Sequence, residues 1–246
     1  MEWVTLTKDN IDKEHICCAL SSKDEQVISK KEWLKEQLNH GLVFTKLNER
    51  GKCFIEYIPL ESAWISLIGD HFMYINCLWV SGRFQGLGYA KVLLEGCIKE
   101  SLKQGKKGIV ILSSQKKKAF TMDYDFLIKQ GFISVDHWND YELMFLPLCD
   151  DVVMPKFNIT KCQEEGFVLY YTYQCPFNIK YVQQLIEYCH QQNIPMKVKH
   201  IQTREDALKA PTPLTTYSLF YNQKFITREV LTSQKFEKIR RELCQK

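Results

Sequence analysis

The segment Leu78-Trp79-Val80-Ser81-Gly82-Arg83-Phe84-Gln85-Gly86-Leu87-Gly88-Tyr89-Ala90 joins an apolar, strand-forming run to a helical repeat through a glycine-rich loop. Upstream, residues 73–80 are rich in aromatic and aliphatic side chains; downstream, Ala90, Leu93, Leu94, Cys97, Ile98 and Leu102 recur at helical spacing. A strand that turns directly into a helix presents unpaired backbone N–H groups at the positive end of the helix dipole. Glycines let that backbone approach a pyrophosphate closely, so the junction is an anion site by construction. A tight strand–helix turn with no ligand uses the same residues. The loop follows the fourth strand-like segment rather than the first, which argues against a dinucleotide-binding fold.

The rest of the chain arranges itself around this junction. A short strand is expected over residues 3–6, then helices over 10–20 and 29–38, with Ser29 as a cap. Residues 41–47 and 53–58 alternate apolar and polar around Asn48-Glu49-Arg50-Gly51, a hairpin signal. After the helix come a buried strand at 108–112, a short helix at 126–130 ending on Gly131, and strands at 132–135 and 141–146. Residues 149–157 read as a linker. A second alternation follows: strand 168–173, helix 177–189, strand 196–200, helix 204–209, a hairpin of 216–221 and 225–227 across Asn222-Gln223, and helix 233–244. The order predicts a layered α/β protein in two domains, 1–149 and 150–246.

Charge and cysteine content exclude several classes. The 33 Lys and Arg exceed the 29 Asp and Glu by only four, too mild a balance to imply nucleic acid. Residues from Pro155 onward carry a surplus of six positive charges, which a solvated basic face explains. None of the ten cysteines forms a C-x-x-C pair, and several lie inside apolar runs, so neither a zinc site nor a disulfide framework is expected. His15, His40, His71 and His137 have no partner at metal-ligand spacing. The chain opens without a basic-then-apolar leader and has no stretch of membrane-spanning length, so the expectation is a cytoplasmic protein without a membrane partner. No oligomeric state follows from these features.

Gln85, Gly88 and Ala90, with Gly86 between them, resemble motif A of the GNAT superfamily of N-acetyltransferases, Q/R-x-x-G-x-G/A. Phe132 after Gly131 resembles the family's closing glycine–phenylalanine turn, and the order of elements over 1–147 is that of the family. The resemblance implies a mixed, mostly antiparallel sheet whose central parallel strands, at 73–80 and 108–112, splay apart between flanking helices. It also implies acetyl-CoA as co-substrate, held by Leu78, Trp79, Val80, Gln85, Gly86, Leu87, Gly88, Tyr89 and Ala90. Backbone N–H groups near Val80 would polarise the thioester, and the primary amine of an acceptor would attack it directly. Many family members place a tyrosine acid where this chain has Leu127; Tyr124, one helical turn earlier, can face the same side. A partly buried surface tyrosine reads equally well, and water can do the protonation. Glu56 lies on the strand where some relatives keep a catalytic glutamate, yet a charge alternating with apolar residues commonly faces solvent. Asn76 and Cys77 can point into the cleft, and Lys116-Lys117-Lys118 can steer anionic phosphates.

In the second domain, Cys175-Pro176-Phe177-Asn178 sets a cysteine between a strand and a helix N-terminus, where the dipole lowers a thiol pKa. The layout, with Pro211-Thr212-Pro213 before the hairpin, resembles a thioredoxin-like fold in which Asn178 replaces the second cysteine. The whole chain is similar to bacterial acetyltransferases that carry a YoaP-like domain. Two rival readings stay open beside acetyl transfer: an acyl-CoA-binding regulatory protein without turnover, and a monothiol redox protein acting through Cys175.

Overall fold

The computed structural model describes residues 2–18 and 24–244. The first unit begins with β1 (Trp3–Thr5), α1 (Glu25–Leu38), β2 (Val43–Leu47), β3 (Cys53–Pro59) and β4 (Leu67–Ile68). It continues through β5 (Phe72–Val80), α2 (Tyr89–Lys103), β6 (Gly108–Ser114), β7 (Met122–Asp123), α3 (Tyr124–Lys129), β8 (Ile133–Trp138) and β9 (Tyr141–Pro147). The strands line up as β1-β2-β3-β5-β6-β9-β8, with β7 beside β6. Only the β5–β6 and β6–β7 pairs are parallel, so the sheet is mixed and mostly antiparallel, as expected.

The expected helix over residues 10–20 is absent. Residues 8–13 form hydrogen-bonded turns, with Ile11 N–H donating to Thr7 O, and Leu20 lies outside the described residues. Asn10 ends the regularity by spending its side chain on local backbone: its Oδ1 accepts from Thr7 N–H and its Nδ2 donates to Thr5 O. The next helix starts at Glu25 after Asp24, four residues before the expected Ser29 cap.

Two hydrophobic cores cover the two faces of the sheet. On one, Leu93, Leu94 and Cys97 of α2 and Leu127 of α3 pack on Ile55, Met73, Ile109 and Met144. On the other, Trp33 and Leu34 of α1 meet Phe44, Phe54, Phe72 and Phe145. Trp33 packs edge-on against Trp64 with ring centroids 5.7 Å apart. β3 and β6 are therefore sandwiched, which is why their residues are buried without alternation.

The second unit comprises β10 (Lys156–Phe157), β11 (Phe167–Tyr171), α4 (Pro176–Gln191), β12 (Met196–His200), α5 (Arg204–Lys209), β13 (Tyr217–Tyr221), β14 (Lys224–Thr227) and α6 (Ser233–Cys244). Its four-stranded sheet has the order β12-β11-β13-β14, with β11 and β12 parallel and the other neighbours antiparallel. Asn222 and Gln223 both take positive φ, the conformation a two-residue hairpin turn requires. β10 pairs with β4 of the first unit, and Phe157 N–H donates to Asp136 Oδ2 at 2.8 Å.

The two units share a core. Ile201, Ala207, Ala210 and Leu214 join the cluster that contains Trp33 and Trp64. The buried Thr215 Oγ1 donates to Trp64 O at 2.8 Å, and Trp138 meets Phe225 edge-on at 4.8 Å. No helix among the described residues is long and apolar enough to cross a membrane.

Candidate active site

β5 pairs with β6 only from Phe72–Ile75 against Gly108–Ile111. Beyond that point the strands part, and Asn76 through Val80 keep a free edge facing the gap. A β-bulge starts the separation: Glu56 of β3 opposes Cys77 and Tyr57 opposes Ile75, leaving Asn76 as the extra residue. Bulges bend a strand and re-aim its side chains. The resulting cleft encloses about 490 Å³ and is lined by Leu78, Trp79, Val80, Gln85 and Ala90 together with Ile111 and Leu112 across the gap.

The glycine-rich loop closes one end of the cleft. Gly86 and Gly88 have φ of +77° and +78°, and a Cβ added to either would meet nothing within 4 Å. Gly88 is the N-cap of α2, with no side-chain cap and no acidic residue in the first turn. The N–H groups of Gly86, Leu87, Gly88, Tyr89 and Ala90 find no acceptor among the described residues. A helix end left this way is normally satisfied by a side chain, water or a ligand. The loop fits the diphosphate of a CoA molecule on three counts: free donors, open space and uncapped positive dipole. Leu87 is 58% exposed and contributes backbone rather than side chain. Of the three consecutive lysines, Lys116 and Lys118 are tied to Asp140. Lys117 lines the cleft.

A buried ion pair sits beside the bulge, between α1 and β3. Glu56 is 2% exposed, not solvent-facing as strand alternation suggests. Lys30 Nζ donates to its Oε2 at 2.6 Å, and Asn76 Nδ2 donates to its Oε1 at 2.9 Å. Two charges this deep persist only when paired and hydrogen-bonded. Sequence reasoning misses Lys30, although a lysine three residues before Trp33 and four before Leu34 on the buried stripe of α1 is the signal for it. Glu56, Asn76 and Cys77 line a second, smaller cavity that opens between the two units. Its far wall comes from Gln174, Cys175, Phe177, Thr216 and Arg228. Asn76, Cys77, Trp79 and Phe120 belong to both cavities, so the two meet at the bulge.

Tyr124 begins α3 directly after Met122 and Asp123, which line the cofactor cleft. Its ring packs against the α2–α3 core, and Tyr124 is not among the residues lining the cleft. Leu127, at the family's usual acid position, is fully buried in that core.

Cys175 is the N-cap of α4, as expected, but the predicted activation does not follow. Burial pushes its thiol above the ordinary value, outweighing the Phe177 N–H that favours the thiolate. Cys77 is pushed far up by burial and then by the nearby Glu56 charge, and Cys18 by burial. A thiol held above its ordinary value offers less thiolate at a given pH than the helix dipole alone would give. Asn178 serves the fold instead. Its Nδ2 donates to Thr172 O at 3.1 Å and also to Thr216 O, binding two loops together. Among the described residues no group of His, Cys, Asp and Glu could hold a metal ion.

The chain matches two known families. Residues 9–121 match the acetyltransferase (GNAT) family, and residues 195–238 match the YoaP-like family. The chain is 39% identical over 246 residues to a Bacillus subtilis (strain 168) protein described as the uncharacterized N-acetyltransferase YoaP, covering 97% of this chain and 98% of that one. Among solved structures, the PaiA N-acetyltransferase of Thermoplasma acidophilum in complex with coenzyme A aligns with 60% of this chain and 99% of its own, at 16% identity and TM-score 0.41. The YhbS N-acetyltransferase of Escherichia coli in complex with CoA aligns with 64% of this chain and 89% of its own, at 12% identity and TM-score 0.42.

Proposed function

The chain belongs to the GNAT family of acetyl-CoA-dependent N-acetyltransferases and carries a YoaP-like region, and from that premise we propose that it acetylates the primary amine of a small molecule by direct attack within a ternary complex. The carrying observation is that two cavities meet at the Asn76 bulge, one ending at the uncapped α2 N-terminus and the other lined by the Glu56 carboxylate.

On this reading the pantetheine amides pair with the free edge of β5 from Asn76 to Val80. The CoA diphosphate takes the N–H groups of Gly86 to Ala90. The thioester carbonyl accepts a backbone N–H near Val80, which stabilises the oxyanion of the tetrahedral intermediate. The amine lone pair attacks the carbonyl carbon, the C–S bond breaks, and CoA leaves as a thiolate that takes up a proton. Glu56 receives the proton lost by the nitrogen. Lys30 and Asn76 each use one carboxylate oxygen, which fixes the group's orientation and leaves lone pairs for the substrate. Tyr124 packs in the α2–α3 core outside the cleft lining, so on this reading the thiolate takes its proton from solvent. The connectivity of the second sheet supports reading 150–246 as a thioredoxin-like unit used as a wall of the acceptor site rather than as a redox centre.

Glu56→Gln tests the assignment, because it keeps the shape and an acceptor for Lys30 while removing the base. CoA release with an amine panel should fall about 100-fold in kcat, the contribution typical of a general base. Acetyl-CoA affinity by calorimetry should stay unchanged. A Glu56→Gln rate within twofold of the parent refutes the role.

A further inference from the structure

Arg228 follows β14 and is the one guanidinium lining the cavity between the two units among the described residues. Its Nε is buried without a hydrogen-bond partner, and no carboxylate among the described residues pairs with it. The acidic groups nearby are already engaged. Asp140 is held by Lys116 and Lys118, Glu229 by Lys235, and Glu56 by Lys30. What surrounds the guanidinium is instead neutral: the Tyr141 ring with its centroid 5.7 Å from Cζ, the Tyr74 hydroxyl, and the thiols of Cys77 and Cys175. Arg228 is half-buried, and a partly desolvated cation left without a counterion costs stability, so one at a cavity wall marks where a ligand's charge belongs.

We infer that Arg228 anchors the carboxylate of the acceptor, so that the substrate class is a small amine that also carries a carboxylate, with a compact apolar body. The inference rests on the acetyltransfer reading above and names its substrate. Three observations converge on it. Arg228 lines both cavities where they meet, so a carboxylate bound to it holds its amine between Glu56 and the cofactor cleft. The acceptor cavity encloses about 80 Å³, small enough to demand a compact ligand, and Phe54, Trp79, Phe120 and Phe177 supply apolar walls. Around it stand three cations, Lys30, Lys52 and Arg228, against the single carboxylate of Glu56. The CoA phosphates do not account for the charge. Tyr74, beside Arg228, and Val80, where β5 ends, are six residues apart on one strand, about 20 Å at 3.3 Å per residue. A guanidinium recognises a carboxylate through two parallel N–H donors, which fixes orientation as well as charge.

The test pairs compact apolar amino acids with their carboxamides, plus O-phosphoethanolamine as a phosphate-bearing amine. Binding to the CoA-loaded protein is read by calorimetry, and turnover by CoA release with acetyl-CoA. The parent should bind at least one acid tenfold or more tighter than its carboxamide. Arg228→Gln should abolish that preference while leaving acetyl-CoA affinity unchanged, and Arg228→Lys should restore part of it. The Arg228→Gln variant should also melt at a higher temperature than the parent, because a half-buried charge without a counterion is gone. Equal binding of acids and carboxamides overturns the inference, as does tighter binding of O-phosphoethanolamine than of any acid, or tenfold weaker acetyl-CoA binding in Arg228→Gln. Discrimination in binding without CoA release supports Arg228 as the anchor and sinks the acetyltransfer reading. CoA release without discrimination does the reverse.

Discussion

Replacing Gly88 with glutamate perturbs the cofactor loop at the one residue that is both helix N-cap and left-handed, with φ +78°. The added Cβ meets no protein atom within 4 Å, so nothing in the fold opposes it except backbone strain, about 1–2 kcal/mol for an L residue in this region. The side chain instead occupies the space in front of the free N–H groups of residues 86–90. Displacing a diphosphate from even one such donor forfeits a charge-assisted hydrogen bond, about 1.5–3 kcal/mol. At 1.4 kcal/mol per decade that is roughly 10- to 100-fold in Kd, and the new negative charge adds repulsion. Calorimetric titration with acetyl-CoA reads the affinity, and circular dichroism with a thermal melt confirms that the variant is folded. A folded Gly88→Glu protein with unchanged Kd means that the loop is only a turn, and the placement of the diphosphate is wrong.

Lys30→Met should lower stability by about 3–5 kcal/mol in denaturant melts, since it strands the buried Glu56 charge. Adding Glu56→Gln to it should recover most of that loss, and a double variant no more stable than Lys30→Met contradicts the pairing. Cys175→Ser should retain acetyl transfer within twofold, and at pH 8.5 iodoacetamide should modify Cys175 more slowly than free cysteine. Faster alkylation restores the redox reading. Burial lifts the thiols of Cys17, Cys53 and Cys97 to about 12, about 11 and about 12, against roughly 8.5 in an unfolded chain. The unfolded state gives up these protons first, so stability is complete below that unfolded value and declines as pH rises toward the folded ones. Melting temperatures that do not drop between pH 8 and 10.5 refute this.

The cofactor half of the site is legible in the sequence because it is local. Residues 73–102 contain the strand, the glycines and the amphipathic helix, and anion binding at a helix N-terminus needs nothing from elsewhere. The acceptor half is not local. Glu56 finds Lys30 26 positions away, and strand alternation misplaces it because α1 and α2 cover both faces of β3. Arg228 gives no signal at all, since its significance is the lack of a partner, which only packing reveals. The turns at 8–13 defeat the helix expectation because Asn10 satisfies local backbone in a non-helical way. At Cys175 the dipole was readable, but the burial that overrides it comes from a facing domain.

The shared wall between the two units divides the enzyme's chemistry into two heritable parts. On the proposed reading, handling of the acyl donor is written in residues 74–90 and 111–123, whereas the acceptor surface is shared between first-unit residues such as Lys30 and Glu56 and the second unit's Gln174–Asn178 and Thr216–Val230. Substitutions in the later stretches can retune which amine is modified while the donor machinery stays as it is. Relatives of this chain that keep the loop at 85–90 but diverge around position 228 should therefore share a co-substrate and differ in what they acetylate.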